Sequence, residues 1–337
     1  MPLVGEVDYS IIICTYNPDA EVFARCLHAV SELNDDTLNL EVIIVDNNST
    51  IPIAEQEYVQ RFLKKLPDTK LLFVKEQGLS HARTAGVDAS TGAYIVFCDD
   101  DNIPDIRYIQ VLRDLNKRYP HVGAWGPGCV DVDFVSGIDQ GLESYAKAAF
   151  QDRHEKAITY SNQRLWQACY PYGTGLCIQK KYLKEYISLQ KQNKFTLTDR
   201  KGEQLTSGED TQMVLFCISK GAAAGVAPDL KMTHTVPARR ATFGYLKRLT
   251  YGTSVCYSTC VSEVFPDYIL ELKRRKVSKR RFITKTLEKY LLLFFKFKPK
   301  STFALIAYIG AVSGDYMVLK EPVPAVVKWV LKKLKAV

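Results

Sequence analysis

The segment "AYIVFCDDDNIP" (93–104) runs from an apolar stretch directly into three consecutive carboxylates. Its apolar part has the length and composition of a buried strand, and it is the fourth such stretch in the chain. The three before it are "YSIIICTY" (9–16), "LEVIIVDNNS" (40–49) and "TKLLFVKE" (69–76), and segments with helical spacing lie between them at 20–33, 55–66 and 80–90. Apolar strands that alternate with helices predict an α/β fold, in which a mainly parallel sheet carries helices on both faces.

Polar residues follow each predicted strand at its carboxyl end. In a parallel sheet, ligands bind in the crevice beyond these ends. The residues are Thr15, Tyr16 and Asn17 after the first strand, Asp46 and Asn47 after the second, Gly78 after the third, and Asp99, Asp100 and Asp101 after the fourth. The sequence therefore predicts a binding site at this end of the sheet.

The triplet Asp99 to Asp101 concentrates negative charge at that site. Three adjacent carboxylates repel one another unless a cation or hydrogen-bond donors compensate for the charge. Mg²⁺ or Mn²⁺ would do so, because either ion takes oxygen ligands from one or two carboxylates and leaves positions for phosphate oxygens. The alternative is a helix N-cap, because "DIRYIQVL" (105–112) follows with helical spacing.

Three motifs taken together resemble a known family. They are "SIIICTYN" (10–17) with Asp46 ending the next strand, "QGLSHARTAGVDASTGAYIVFCDDDNIP" (77–104) and "SGEDTQMVLFCISKG" (207–221). In this order and spacing they resemble the nucleotide-sugar glycosyltransferases of family 2, which have the GT-A fold and invert the anomeric centre. The resemblance covers about residues 8–250, and each motif alone is much less specific than the set.

The resemblance implies roles for the residues at the predicted binding site. By family pattern, Asp101 binds a divalent cation, Mn²⁺ or Mg²⁺, that bridges the donor diphosphate, and Asp99 faces the ribose or base. Asp100 fills a variable position of the motif and is grouped with the donor-binding residues. The remaining residues expected to hold the donor nucleoside are Thr15, Tyr16, Asn17, Asp46 and Arg83.

Inverting sugar transfer also needs a base that takes the proton of the acceptor hydroxyl. Glu209 and Asp210, in "SGED" (207–210), precede an apolar segment with helical character. The positive end of a helix favours an ionised carboxylate, which suits a base and equally suits a simple helix cap. In the family the Asp of this pair is the base, so we assign Asp210 as the base and Glu209 to acceptor binding or orientation.

Two further segments carry candidate pocket residues. Gly173 and Thr174 lie in "ACYPYGTGLCIQKKYL" (168–183), and the family has a similar glycine-containing segment near the donor sugar and the acceptor. The resemblance therefore implies that both residues line the pocket as donor-binding residues, and a simple turn before a strand is the alternative. Trp166 is expected in the core, with stacking on a sugar as its alternative role.

His234 lies in the segment "MTHTVPARR" (232–240). A lone histidine is usually structural, but the family often completes its metal site with a histidine in this region, which would favour Mn²⁺. Arg239 and Arg240 are predicted to contact the donor diphosphate.

The end of the chain differs from the rest in charge. Residues 271–300 hold 12 Lys or Arg and 2 Glu, whereas residues 1–270 carry 28 basic and 33 acidic side chains. We predict a GT-A catalytic domain at 1–250, with a nucleotide-sugar half at about 8–130 and an acceptor half at about 131–250. A basic helical region is predicted at 251–337.

Apolar segments in that region suggest contact with a membrane. "KYLLLFFKF" (289–297) is too short to span a bilayer, and "STFALIAYIGAVSG" (301–314) is expected to be interrupted by Gly310, Gly314 and Asp315 before reaching ~20 residues. "PAVVKWVLKKLKAV" (324–337) combines an apolar helical face with lysines, which is typical of helices that lie on an anionic membrane surface. Packing of these faces against the catalytic body is the alternative.

Nine scattered cysteines without a CxxC pair favour reduced thiols in the cytosol, and the N-terminus lacks a secretory signal pattern. The sequence thus predicts a metal-dependent, inverting hexosyltransferase of bacterial glycan-assembly type on the inner face of the cell membrane. Its expected partners are a nucleotide-diphosphate sugar and a glycan or lipid-linked acceptor, and no nucleic acid. The alternatives are a non-catalytic nucleotide-sugar-binding protein and a nucleotidyltransferase of related fold, although "CTYNPDAEVF" (14–23) lacks the glycine-rich loop of the latter.

Overall fold

The protein is described from a computed structural model. The structure describes residues 8–33, 39–197, 205–295 and 298–337. The chain forms two compact units. The first unit comprises Met1–Val135, Phe150–Thr196 and Met213–Pro237, and the second comprises Ser136–Ala149, Leu197–Gln212 and Ala238–Val337.

All strands of the described residues lie in the first unit and join one sheet. They are β1 (Tyr9–Thr15), β2 (Leu40–Asp46), β3 (Lys70–Phe73), β4 (Tyr94–Asp99), β5 (Asn102–Pro104), β6 (Val122–Phe134), β7 (Arg153–His154), β8 (Thr159–Ser161), β9 (Cys177–Gln179) and β10 (Ala223–Val236).

The helices of the described residues are distributed over both units. They are α1 (Ala20–Ser31), α2 (Glu57–Lys65), α3 (Leu79–Ala89), α4 (Tyr108–Arg118), α5 (Gln140–Ala149), α6 (Lys180–Lys191), α7 (Glu209–Ser219), α8 (Phe243–Val264), α9 (Tyr268–Arg275), α10 (Lys279–Phe295), α11 (Pro299–Val318) and α12 (Ala325–Lys333). A short 3-10 turn spans Ile53–Glu55.

The strand order of the sheet is β3-β2-β1-β4-β9-β6-β10-β5, with β7 beside β6 and β8 beside β10. Four pairings are parallel, namely β1 with β2, β1 with β4, β2 with β3 and β6 with β10. The short strands β5, β7, β8 and β9 pair antiparallel with their neighbours. The prediction of a mixed, mainly parallel sheet flanked by helices is confirmed, and the four predicted strands correspond to β1 to β4.

Helices cover the central strands on both faces. All residues of β1 are buried, and successive side chains of a strand point to opposite faces. Ile11 and Ile13 share an apolar cluster with Phe23 of α1, whereas Ile12 faces α3, where a Cβ on Gly86 would lie 2.5 Å from its Cγ2. Burial of both faces explains why the sequence of β1 is a continuous apolar run rather than an alternation of apolar and polar residues.

The second unit has a helical core of its own. Buried residues of α10, α11 and α12 form one apolar cluster, which includes Phe282, Ile306, Ile309, Val327 and Val330. The predicted functional boundary at residue 250 remains a prediction. In the division into compact units, the last segment of the second unit begins at Ala238. Residue 250 lies within α8.

Helix α11 corrects the expectation that its glycines interrupt it, because it runs unbroken through Gly310 and Gly314. A Cβ on Gly310 would lie 2.7 Å from the Ser254 Cβ, and one on Gly314 would lie 2.3 Å from the Val255 carbonyl oxygen. These glycines therefore let α11 approach the backbone of α8 closely instead of ending the helix.

Asp315 is accommodated in the same apolar helix by two partners. Its Oδ1 accepts a 2.5 Å hydrogen bond from the Ser258 hydroxyl and lies 3.8 Å from the Arg275 guanidinium. Among the described residues, α11 is the one helix long and apolar enough to cross a membrane, and 56% of its apolar window is buried within the protein. The predicted segment 289–297 extends beyond the described residues at 296–297.

Candidate functional site

Asp46 organises the loop after β2. Its Oδ1 accepts a hydrogen bond from the Ser49 amide at 2.9 Å, and its Oδ2 accepts one from the Ile53 amide at 3.1 Å. The side chain is buried. Both carboxylate oxygens therefore hold backbone N–H groups, so in this structure Asp46 shapes the wall of the predicted donor site.

Asn47 has a structural role that the sequence did not reveal. Its Nδ2 donates to the Glu76 carbonyl at 2.7 Å and to the Val74 carbonyl at 3.3 Å, while its Oδ1 accepts from the Gly78 amide at 2.8 Å. The side chain thus joins the end of β2 to the loop before α3. A polar residue directly after an apolar strand was the available signal, but its partners depend on the fold.

Tyr16 and Asn17 lie where β1 ends. Asn17 has a positive φ of 46°, its amide donates to the Ser49 hydroxyl at 3.0 Å, and its Oδ1 accepts from the Thr50 amide at 2.8 Å. Asn17 therefore locks the loops after β1 and β2 together. Tyr16 is 43% exposed, which leaves ring surface accessible at the carboxyl end of the sheet.

The three aspartates occupy the turn between β4 and β5, and each has a different partner. The Asp99 Oδ1 lies 3.8 Å from Nη2 of Arg83, which is buried and places its guanidinium 5.2 Å from the Phe97 ring centroid. The Asp100 Oδ2 accepts a 2.5 Å hydrogen bond from the Thr15 hydroxyl. The cap interpretation is wrong, because α4 begins only at Tyr108, after β5, with Arg107 as its N-cap residue.

Asp101 and His234 form a buried pair. The Asp101 Oδ2 lies 3.4 Å from the His234 Nε2, and both side chains are almost fully excluded from solvent. The antiparallel pairing of β5 with β10 places His234 opposite Asn102, and the Thr235 amide donates to the Asp101 carbonyl at 2.8 Å. Asn102 also donates to the Asp101 Oδ1 at 2.9 Å. Strand pairing therefore brings Asp101 and His234 together, although they are distant in sequence.

The tautomer of His234 follows from its second nitrogen. Nδ1 lies 2.9 Å from the Phe150 carbonyl oxygen, which can only accept, so Nδ1 carries the proton. In the neutral ring Nε2 then has its lone pair directed outward, and it has no hydrogen-bond partner within the described residues. A lone pair beside a carboxylate oxygen suits a shared cation, and a histidine oriented by a carbonyl is the usual arrangement of a metal ligand.

The side chains of Asp101 and His234 suit a divalent cation, although they supply only two ligands. Mn²⁺ accepts both imidazole and carboxylate ligands. Within the described residues, no group of three or more His, Cys, Asp or Glu side chains could hold a metal ion. A cation at this pair would therefore take its remaining ligands from water or from substrate oxygens.

The glycine segment before β9 is tightly packed. Gly175 has a positive φ of 67°, its carbonyl accepts from the Tyr108 hydroxyl at 2.6 Å, and a Cβ there would lie 2.6 Å from both Met232 and Tyr108. The Thr174 amide donates to the Gln151 Oε1 at 3.3 Å. Gly173 is buried beside them. The segment is therefore a turn that holds Thr174 in place. Such a turn is compatible with a role of Gly173 and Thr174 in lining the pocket.

The remaining predicted site residues belong to the second unit. Glu209 is buried, and Asp210 is partly exposed, with its Oδ1 accepting from the Thr211 amide at 2.7 Å. Both lie in the first turn of α7, after Gly208 with its φ of 132°. Arg239 and Arg240 lie in the loop before α8, where the Arg240 guanidinium is 5.8 Å from the Tyr245 ring centroid.

Comparison with known proteins identifies the family of the chain. The model described as Glycosyl transferase family 2 matches residues 10–186. A glycosyltransferase (AglE) of Haloferax volcanii is 32% identical over 102 residues, which cover 30% of this chain and 33% of that protein. An uncharacterised glycosyltransferase (alr2836) of Nostoc is 24% identical over 182 residues, which cover 53% of each protein. The chain thus matches about a third to a half of the length of these relatives.

A solved structure shares the fold. The mannosyltransferase PcManGT from Pyrobaculum calidifontis aligns with a TM-score of 0.53 and 17% identity, over 94% of this chain and 89% of that one. It was determined with GDP-Man and Mn²⁺.

Proposed function

Because the chain belongs to glycosyltransferase family 2 and has the GT-A fold, we propose that it transfers a sugar from a nucleotide-diphosphate donor to a hydroxyl of a glycan or lipid-linked acceptor. The proposal includes inversion of the anomeric centre and dependence on a divalent cation. The solved mannosyltransferase that shares the fold holds GDP-Man and Mn²⁺, which supports a nucleotide-sugar donor and a metal here.

The observation that carries the proposal is the pairing of Asp101 with His234. A buried carboxylate beside an imidazole nitrogen that has no hydrogen-bond partner within the described residues suits a shared cation, and their 3.4 Å separation is compatible with two ligands of one metal ion. Bound there, a divalent cation would neutralise the charge of the departing diphosphate. We assign Asp101 and His234 as the protein ligands of that cation.

The other residues at the carboxyl ends of the strands bind and orient the donor. Tyr16 offers an exposed ring to the base, while Asp46 and Asn17 fix the surrounding loops. Arg83 balances the charge of Asp99, which keeps that carboxylate available to ribose hydroxyls. Asp100 is tied to Thr15 and thereby fixes the turn that carries Asp101.

Asp210 is assigned as the base. In a single displacement the acceptor oxygen forms a bond to the anomeric carbon, the bond from that carbon to the phosphate oxygen breaks with its electron pair leaving on the diphosphate, and the hydroxyl proton passes to the Asp210 carboxylate. Asp210 lies in the first turn of α7, where the helix dipole favours the ionised carboxylate that a base requires. Glu209 and the two arginines keep the assignments that the family pattern implies.

The proposed location is the inner face of the cell membrane. The second unit exposes large apolar side chains on α10 and α12, namely Leu291, Leu292, Phe295 and Trp329, and we call these four residues the apolar rim. Basic residues are abundant on the same helices. An exposed apolar set beside positive charge suits the headgroup region of an anionic membrane.

A panel of nucleotide sugars tests the function. The full chain is assayed for thermal stabilisation and for donor hydrolysis with Mn²⁺, with Mg²⁺ and with EDTA. A donor present at 100 times its Kd should stabilise the protein by ~2.7 kcal/mol, and only in the presence of metal. If no nucleotide sugar binds in a metal-dependent way, the proposal fails. A protein that binds the donor but releases no nucleotide diphosphate, with or without acceptor, would be a binding protein instead.

A further inference from the structure

We propose that Trp166, backed by the stacked Tyr172 ring, forms a subsite that stacks on a pyranose ring of the acceptor, and we call this ring pair the aromatic platform. The proposal rests on the proposed function, because it assumes a carbohydrate acceptor. It develops the stacking role that the sequence left as the alternative for Trp166, and it adds Tyr172, to which no motif assigns a role.

Trp166 is not the core residue that its sequence context suggested. It is partly exposed, whereas Trp125 is 1% exposed. The Trp166 and Tyr172 rings stack with centroids 5.8 Å apart and an interplanar angle of 24°, and Tyr172 is 36% exposed. Two stacked rings that reach solvent form a surface feature rather than a part of the core.

A buried arginine holds the platform in place. The Arg153 guanidinium lies 4.4 Å from the Tyr172 ring centroid, and its two terminal nitrogens donate to the Tyr170 carbonyl at 3.1 Å and to the Ala168 carbonyl at 3.0 Å. The Tyr170 ring is buried and meets Trp166 edge-on at 5.6 Å. The platform is therefore preorganised, which lowers the entropic cost of binding a ligand.

The platform is connected to the candidate metal pair by consecutive contacts. Tyr172 precedes Gly173 and Thr174, and the Thr174 amide is held by the side chain of Gln151. Gln151 follows Phe150, whose carbonyl orients His234. All of these residues lie in the first unit. A ligand on the platform would therefore lie beside the segment that leads to the reacting centre.

A second observation points to a ligand at this place. The Thr174 hydroxyl is buried, and it has no hydrogen-bond partner within the described residues. Buried hydroxyls without partners are uncommon because they lose their hydrogen bonds to water. A sugar hydroxyl could supply the missing partner, two residues from the Tyr172 ring.

The chemistry favours an acceptor sugar over the donor nucleoside. A pyranose has an apolar face of C–H groups and a rim of hydroxyls, so it suits aromatic rings beside a buried hydroxyl. Most residues assigned to the nucleoside lie at the ends of β1 and β2, whereas the platform segment leads into β9, which pairs with the far side of β4 from β1. The platform therefore belongs to the half of the first unit predicted to bind acceptor.

The test measures binding of methyl glycosides of glucose, galactose, mannose and N-acetylglucosamine to the full chain by saturation-transfer NMR, without nucleotide. We expect at least one glycoside to bind, and Trp166→Ala and Tyr172→Ala each to weaken that binding about three- to tenfold. Trp166→Phe keeps an aromatic face and should retain most of the affinity. Tyr160→Ala removes a tyrosine that is 43% exposed elsewhere in the first unit, and it should leave the affinity unchanged.

Donor hydrolysis without acceptor separates this proposal from the proposed function. The platform variants should hydrolyse the donor within about twofold of the unmodified rate, since a twofold change is well under 1 kcal/mol. Failure of the unmodified chain to bind any nucleotide sugar would refute the proposed function, while glycoside binding would still be measured on its own. The platform proposal is overturned if no glycoside binds, if Tyr160→Ala weakens binding as much as Trp166→Ala, or if donor hydrolysis falls in parallel with glycoside affinity in Trp166→Ala.

Discussion

Each aspartate of the triplet has its own partner, and this division is the main result at the scale of single residues. Asp99 faces Arg83, Asp100 accepts from Thr15, and Asp101 faces His234. Neighbouring carboxylates can remain ionised when each has a separate compensating group, which for Asp101 would be the proposed cation. Asp101 is therefore the carboxylate best placed to share a cation with the histidine.

Asp101→Asn should remove most of the response to metal. The change keeps the shape of the side chain but removes the charge, so we expect affinity for Mn²⁺ to fall at least about tenfold. His234→Gln should act in the same direction. The measurement is donor hydrolysis as a function of Mn²⁺ concentration.

Asp100→Asn serves as the comparison for Asp101→Asn. It alters the adjacent carboxylate that holds Thr15, so it should change the donor KM while the Mn²⁺ dependence stays as in the unmodified chain. Equal Mn²⁺ dependence of Asp101→Asn and the unmodified chain would contradict the metal assignment.

Asp210→Asn tests the base. Loss of a general base typically lowers turnover about 10²- to 10⁴-fold, and the donor should still bind because the assigned donor contacts are intact. Turnover and nucleotide-sugar affinity are measured on the same preparation, with Glu209→Gln as the neighbouring variant. Full turnover by Asp210→Asn would show that another group takes the proton.

At the scale of elements, the approach of α11 to α8 depends on glycine. Gly314 leaves no space for a side chain, because its Cβ would lie 2.3 Å from the Val255 carbonyl oxygen. The same helix keeps Asp315 paired with Ser258. A close helix contact and a satisfied carboxylate thus explain how glycine and aspartate occur within a continuous apolar helix.

Gly314→Ala should destabilise the second unit by ~1–3 kcal/mol, because either the backbone of α8 or that of α11 must move. Gly244→Ala is the matched control, since the nearest atom to its Cβ would be the flexible end of Arg248 at 3.9 Å. That control should be neutral or gain up to ~1 kcal/mol from helix propensity. Chemical denaturation measures the free energy of unfolding of both variants. Equal effects of the two changes would show that helix packing does not depend on Gly314.

At the scale of the whole molecule, the basic character of residues 271–300 accompanies exposed apolar side chains. The folded second unit buries one face of α10, α11 and α12 and leaves the apolar rim exposed. Deleting these helices would remove the core of the unit, so surface substitutions in the full chain are the better test of membrane binding.

The double change Leu292→Ser with Phe295→Ser should weaken binding to vesicles that contain anionic lipid. A fully buried side chain of this size contributes ~1.5–3 kcal/mol, so the loss should exceed about tenfold in partitioning. Binding by the unmodified chain should also fall with added salt, because lysines near an anionic surface are screened. Vesicle sedimentation measures both effects.

Ile106→Ser is the control for membrane binding, since Ile106 in the first unit has an exposed fraction of 60%, close to that of Leu292 at 55%. It should sediment with vesicles as the unmodified chain does. The membrane proposal would be wrong if the double variant sedimented equally well, or if Ile106→Ser lost as much binding.

Sequence patterns alone predict the four parallel strands, their helices and the end of the sheet at which polar residues lie. These features follow from local patterns, because an apolar run of strand length between helical segments has few other ways to bury itself. The motif set in addition indicated the family that the comparison shows. The assignments of individual site residues remain predictions.

The contacts between individual side chains, in contrast, depend on how the strands and helices pack together. The short strands β5 and β9 pair antiparallel with distant parts of the chain, and no local pattern fixes such a register. That register places Asn102 opposite His234, and long-range packing leaves Trp166 partly exposed and brings Gly314 against α8. Periodicity reports which face of an element is buried, whereas the partner of each side chain depends on contacts between elements far apart in the sequence.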